Sequence, residues 1–383
     1  MVRMRTIKVS RVLWVIWAGA VLLCTACGQN SGTTSASVAQ QAESSGADTA
    51  TETSAEAVME TAAQTADMVS LVGVVTYTGG VEDEAFNQSA WEGLQRFSGE
   101  TGCETVFYES ASETDFAQHM DELVENGGDL CWGIGYSCAG DLLKKAKKYP
   151  DVSFAIIDYA YAETPDNMTG VVFRSQESSF LVGYIAANMT KTDKVGFVGG
   201  ESNAVIEQFQ YGYQAGVAYA EKQLGKTVEV EVWYTGSFDD PFQGKELASS
   251  LYEEGCDIVF QAAGASGIGV IEAAQETGNY VIGVDKDQSY LAPEHVLTSA
   301  IKNVNQAIYR VSKNAFAGES IGGKTLSLGL EEGAVGVSEE HALYGDEIYE
   351  QVLQLQDEMI AGRMIPPSNQ TEYETFLDSL YQR

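Results

Sequence analysis

The sequence predicts an α/β protein of two doubly wound lobes in tandem, and three observations carry that reading. From Val69 onward, short β-branched runs alternate with amphipathic stretches, the pattern of a parallel sheet covered by helices. Ten such runs are present, more strands than one doubly wound sheet of this length needs, so two similar lobes fit better, the second starting near Ser175. Polar or glycine-rich segments follow several of the runs, at the carboxyl ends where open α/β sheets place their ligand crevice.

In chain order the expected strands are LVGVVT (71–76), TVFYE (105–109), LCWGI (130–134), SFAIID (153–158), GVVF (170–173), KVGFVGG (194–200), VEVEVWY (228–234), DIVFQAA (257–263), YVIGVD (280–285) and VLTSAI (296–301). Helical patterns between them include AWEGLQRFSGE, DLLKKAKKY, SFLVGYIAANM, FQYGYQAGVAYAEKQL and IGVIEAAQET. The candidate site loops are TYTGGVEDEAFN after the first strand, GYSCAGD after the third, AGASGIG after the eighth and DKDQSY at the end of the ninth. Glycine there lets backbone approach a bound group closely. If the lobes face each other, the cleft between them is the binding site.

Ahead of the body, residues 1–11 carry Arg3, Arg5, Lys8 and Arg11 and no acid, followed by the apolar run Val12–Leu23. A basic start and a run short of the roughly 20 apolar residues of a membrane span predict an export signal. It ends in CTAC, which resembles the bacterial lipoprotein cleavage box with Cys24 in place of the usual Leu, and Cys27 becomes the lipidated first residue. Loss of residues 1–26 would take the net charge from -33 to -37. Residues 28–67, without an aromatic, Lys or Arg, are too polar to offset their ordering entropy and predict a disordered tether.

The chain has 55 Asp and Glu against 22 Lys and Arg, which disfavours nucleic acid, whose binding depends on cationic side chains displacing counterions. Three histidines, His119, His295 and His341, fall in no metal-binding spacing. The glycine clusters match neither GxGxxG nor GxxxxGK[ST] and no basic cluster adjoins them, so neither a phosphate cofactor nor a metal is called for. Cys103, Cys131, Cys138 and Cys256 show no disulfide framework; buried free thiols are favoured over bridges.

Phe86 and Phe238, each in a polar loop at a helix start, are suited to sandwich a planar ligand or, equally, to act as hydrophobic staples. Asp285 and Lys302, at strand ends, are placed to grip hydroxyl groups or to pair with each other. The acidic triplet 82–84 reads as a solvated helix start favoured by the macrodipole. A hydrolase is the rival class: no GxSxG elbow is present, and carboxylate pairs such as Asp239/Asp240 or Asp285/Asp287 are not singled out by spacing.

The strings VGVVTYTGGVEDEAFNQSAWEGL (72–94), KKYPDVSFAIID (147–158), FRSQESSFLVGYIAANMTKTDKVGFVGG (173–200), GSFDDPFQGKELA (236–248), DIVFQAAGASGIGVIEAA (257–274) and VIGVDKDQ (281–288) closely resemble the BMP family, the basic membrane protein or PnrA-like substrate-binding lipoproteins of ABC transporters. The resemblance runs from about residue 70 to about 365. It implies a type I periplasmic-binding-protein fold with a hinge of three crossing segments: an N-terminal lobe of 68–174 completed by about 299–335, and a C-terminal lobe of 175–298 completed by about 336–383. It further implies a receptor without chemistry of its own, holding a nucleoside, best known as a purine nucleoside, and delivering it to a permease and its ATPase. Phe86 and Phe238 match the base-stacking aromatics, Asn87 the base-binding asparagine, Gly264 a cleft glycine, and Asp285 and Lys302 the ribose-binding acid and lysine. Two positions depart. Tyr77 stands where the family motif has Asp, and another motif Asp falls on Gly140, with Asp141 displaced by one position. By the resemblance, the first removes a carboxylate expected at the sugar and the second one that reads the base edge, a loss that alters selectivity because an unpaired polar group on a buried ligand is costly.

Overall fold

The computed structural model describes residues 69–77 and 79–381; the predicted signal segment, Cys27 and the tether lie outside them. The first half of the chain builds β1 (Leu71–Thr76), α1 (Phe86–Thr101), β2 (Glu104–Tyr108), α2 (Glu113–Glu125), β3 (Leu130–Ile134), α3 (Ala139–Lys148), β4 (Ser153–Ile157) and β5 (Met168–Phe173). The second builds α4 (Ser175–Met189), β6 (Lys194–Gly199), α5 (Ala204–Leu224), β7 (Glu229–Tyr234), α6 (Pro241–Glu253), β8 (Ile258–Ala262), α7 (Ser266–Thr277), β9 (Tyr280–Asp285) and β10 (Val296–Lys302). The remainder adds α8 (Val304–Phe316), β11 (Lys324–Leu328), β12 (Val335–Val337), α9 (Gly345–Ile360) and α10 (Gln370–Tyr381).

Two six-stranded sheets result, in the orders β11-β5-β4-β3-β1-β2 and β12-β10-β9-β8-β6-β7. Every pairing in the first is parallel; in the second only β12 runs antiparallel, to β10. Both sheets therefore repeat a doubly wound order whose direction reverses beside their first strand, between β1 and β3 and between β6 and β8. Such a reversal opens a crevice at the carboxyl ends of those strands. The chain passes from the first sheet to the second after β5, back after β10, and across again after β11.

Local chemistry fixes the helix starts next to the crevice. Asn203 caps α5 by accepting from the Val205 and Ile206 amides at 2.9 and 3.2 Å. Asp240 caps α6, which opens on Pro241, by accepting from the Gln243 amide. At α1 the capping group is Asp83, whose carboxylate accepts from the Ala85, Asn87 and Gln88 amides. This corrects the expectation of a solvated triplet: Asp83 is 5% exposed, because its donors draw it inward beneath the loop.

α4 is buried on almost every face, since it lies directly against α5. A Cβ on Gly183 would stand 2.2 Å from the Tyr213 carbonyl oxygen, and one on Gly216 2.0 Å from that of Phe180. Only glycine permits that backbone approach. Cys103, Cys131, Cys138 and Cys256 are buried free thiols, and loss of solvation pushes the Cys103 thiol up to about 11 and that of Cys256 up to about 12.

Candidate functional site

Between the two sheets lies a cavity of about 810 Å³ of atom-free space including its mouth. The loop after β1 contributes Tyr77, Gly79 and Asp83, and the first turn of α1 contributes Phe86 and Asn87. Ile134 to Ser137 arrive from the end of β3 and Asp158 from the end of β4. Across the gap stand Phe238 after β7, Ala262, Gly264 and Ala265 at the end of β8, Val284 and Asp285 closing β9, Lys302 closing β10, and the α5 side chains Val205, Ile206 and Phe209. The residues come from strand carboxyl ends because that is where both sheets reverse.

The cavity floor is charged and its side chains are withdrawn from solvent. Lys302, 2% exposed, donates to Asp158 Oδ2 at 2.5 Å, so the floor pair joins a strand of one sheet to a strand of the other. Its ammonium lies 4.6 Å from the Phe86 ring centroid, 5.2 Å from that of Phe173 and 5.9 Å from that of Phe209. Aromatic faces attract a cation and exclude competing water. Asp158 and Asp285 both turn at φ 66°, a left-handed conformation that Asp tolerates better than most residues and that ends each strand abruptly at the cavity wall. Burial pushes the Asp285 carboxyl up to about 7; Lys302 opposes the rise, while Asp158 and Asp83 reinforce it. Burial likewise raises Asp83 above the usual carboxylate range, against the pull of its three amide donors and Lys286.

Phe238 is held from behind by backbone. A Cβ on Gly200 would fall 2.3 Å from Phe238 Cε1, and one on Gly264, whose φ is 57°, 3.0 Å from the Phe238 carbonyl oxygen. The ring position thus depends on two glycines.

Around the mouth, polar groups tie the sheets' loops together. Tyr136 donates to Glu201 Oε2 at 2.7 Å and accepts from Asn203 Nδ2 at 3.1 Å. On the opposite flank Lys286 donates to Gln88 Oε1 and Glu92 Oε1 at 3.0 and 2.9 Å, Gln288 donates to the Glu84 carbonyl at 3.0 Å, and Tyr290 donates to the Glu84 carboxylate.

Of the residues singled out in the sequence, Tyr77, Phe86, Asn87, Phe238, Gly264, Asp285 and Lys302 line this cavity. Asp141 does not. It sits in the first turn of α3 and takes Lys144 Nζ at 2.7 Å, so it supplies no carboxylate to the cavity. Lys302 takes Asp158 as its ion-pair partner, so of the two alternatives open for Asp285 and Lys302, direct pairing with each other is not the one seen. Tyr136 and Asp158 line the cavity without a signal that singles them out, although Asp158 ends the run SFAIID and follows the same strand-end rule that marks Asp285; Asp83 lines it too, where the sequence suggests a solvated helix start.

The family model described as ABC transporter substrate-binding protein PnrA-like, Bmp, matches residues 70–370. The chain belongs to this family. Basic membrane protein A of Borreliella burgdorferi is 39% identical over 304 residues, covering 78% of this chain and 88% of the relative. Basic membrane protein B of Borreliella afzelii is 37% identical over 313 residues, covering 79% and 89%. An ABC transporter solute-binding protein from Aeropyrum pernix K1 superposes with a TM-score of 0.73 at 28% identity, over 82% of this chain and 97% of that one. The Bmp chain thus has the two-lobed type I periplasmic-binding-protein fold. Substrate-binding proteins of ABC importers work outside the cytoplasm with permease and ATPase partners and a small-molecule ligand. Among the described residues, no helix is long and apolar enough to cross a membrane.

Proposed function

We propose that the protein is the receptor of a nucleoside importer, anchored through lipid on Cys27, that closes its lobes on a purine nucleoside and delivers it to the permease without chemical turnover. The observation that carries the reading is that Phe86 and Phe238, from opposite lobes, share one cavity with Asn87, Asp285 and Lys302. In this reading the two rings hold the base and the Asn87 amide hydrogen-bonds its edge. The backbone at Gly264 lies against the ligand, and Asp285 and Lys302 take the ribose hydroxyls. Contacts to both lobes made only in the closed form drive hinge closure.

Base selectivity is the part of this reading that Tyr77 and Asp141 alter. With Tyr77 in place of a carboxylate expected at the sugar, and Asp141 turned to Lys144 and away from the base edge, the site offers fewer carboxylates to the ligand, which favours a broader range of nucleosides or another flat, sugar-like solute. Thermal unfolding across a panel of nucleosides, free bases and sugars tests it. A ligand at about 100 times its dissociation constant stabilises by about 2.7 kcal/mol. A panel in which another solute shifts the transition and no nucleoside does overturns the nucleoside reading. Release of free base, seen by chromatography, overturns the pure receptor in favour of a hydrolase. Retention in the soluble fraction of a Cys27→Ser variant, against a membrane-bound parent, tests the anchor.

A further inference from the structure

We infer that Asp158 is the residue that makes this cavity reject anionic solutes, by occupying the charge of Lys302. The inference rests on the reading of the cleft as a solute site, and it extends that reading to a class of ligand the site excludes.

Among the described residues, Lys302 is the one basic side chain lining the cavity, while four acids line it: Asp83, Asp158, Asp239 and Asp285. A phosphate group entering the floor needs that ammonium. The ammonium is already held at 2.5 Å by Asp158, and both groups are nearly sealed from water, at 2% and 8% exposure. Asp158 is not free to swing away. Its own amide donates to the Val171 carbonyl at 2.7 Å, and its backbone is fixed in the left-handed turn at the end of β4. Three aromatic rings crowd the ammonium on its other sides, with centroids at 4.6, 5.2 and 5.9 Å. A bound anion would therefore have to displace a buried carboxylate or lie beside it, and like charges brought together out of water repel strongly. A neutral hydroxyl has no such conflict, because it can donate to Asp158 or Asp285 while leaving the ion pair intact.

Asp158 is a selectivity residue in this account, acting through Lys302. Replacing it with asparagine keeps the shape and a hydrogen-bond acceptor but releases the ammonium. The test compares parent, Asp158→Asn and the off-cavity charge control Asp141→Asn by calorimetry and thermal shift, with a purine nucleoside, its 5′-monophosphate and inorganic phosphate as probes. The expected result is that Asp158→Asn gains affinity for phosphate and for the monophosphate by about tenfold or more over parent, the scale of one hydrogen bond to a charged group. Asp141→Asn gains nothing, and Asp158→Asn combined with Lys302→Met loses the gain. Asp158→Ser, smaller and equally uncharged, is the second route should the asparagine variant not fold.

Parent protein that already takes up phosphate, or Asp158→Asn and Asp158→Ser variants that fold and gain no phosphate affinity, overturn the inference. Its failure is distinct from that of the nucleoside reading. A parent that binds nucleoside while the variants gain nothing sinks only the role of Asp158. Variants that gain phosphate while no nucleoside binds the parent uphold that role and sink the nucleoside.

Discussion

The floor of the cleft and its rim are both polar, yet they obey different energetics. On the floor, Lys302, Asp158 and Asp285 are withdrawn from water, so each charge is costly unless paired. At the rim, Lys286 with Glu92 and Tyr136 with Glu201 keep contact with solvent, and such pairs are worth about 0–1 kcal/mol each. Buried groups must be satisfied for the fold to persist, so the floor sets what the cleft can hold. Rim contacts break and reform at small cost, so they suit a joint that opens and closes.

The sharpest way to break this contrast is to remove the cation of the floor. Lys302→Met leaves Asp158 and Asp285 without their ammonium, and breaking one side of a buried pair typically costs about 3–5 kcal/mol. Denaturant unfolding is expected to show a loss on that scale, larger at pH 8 than at pH 5, where Asp285, raised to about 7, carries its proton. A loss below about 1 kcal/mol would place the floor in the same energetic class as the rim.

Next in size is the proton held by Asp285. With the folded group at about 7 and its unfolded value at 3.8, the native state binds more protons than the unfolded state between those limits. Its contribution to stability is then fully present below about pH 4 and is lost as pH rises through 7, by about 4 kcal/mol in all. Asp83, also raised, slopes the same way, so Asp285→Asn is expected to flatten the stability profile in part. A variant profile parallel to that of the parent from pH 4 to 8 removes Asp285 from the floor's account.

Phe238→Ala should fall between floor and rim. Its ring is half-buried and rests on Gly200, so truncation is expected to cost ligand affinity by about 10- to 100-fold, roughly 1.4–2.8 kcal/mol, with little change in global stability. Calorimetric titration with the nucleoside that gives the largest thermal shift measures it, and full retention of affinity argues against stacking.

The same contrast explains what could be read from the sequence. Ten strands were legible: eight are buried parallel strands that read as near-continuous apolar, β-branched runs, and the edge strands β2 and β7 still carry β-branched and aromatic residues in TVFY and VEVWY. The structure trims SFAIID to end at Ile157, because Asp158 leaves the strand direction at φ 66°. β11 and β12 were not found: KTLSL has no sustained apolar run, VGV is three residues long, and both sit at sheet edges where burial is one-sided. Asp285 and Lys302 were legible from their place at strand ends, and resemblance supplied their roles. Asp83 was misread because an acidic triplet looks solvated until three amides converge on its middle member. Asp158 was missed because its importance lies in Lys302, 144 residues away in the chain and on the other sheet. Local pattern carries no record of such a pairing.

The smallest effect expected on stability is the most informative about motion. Glu84 stands at φ 53°, an uncommon conformation for a side chain of its kind, immediately before the loop delivers Phe86 and Asn87 to the cavity. Gln288 and Tyr290, which hold it from the other lobe, lie within five residues of Asp285 in the segment that leaves β9. The rim clasp therefore joins a ligand-facing turn of one lobe to a ligand-facing strand end of the other. Tyr290→Phe deletes one donor at a half-exposed site, so unfolding stability should change by less than about 1 kcal/mol. Under the proposed hinge closure a contact between the lobes breaks as they part, so the lost free energy falls on the closing equilibrium: ligand release should quicken by up to about tenfold while association stays near the parent rate. Stopped-flow release of the ligand reads this directly. An unchanged release rate in Tyr290→Phe, with Lys286→Met unchanged as well, would mean that the rim contacts accompany closure without contributing to it, and that the floor holds the lobes together by itself.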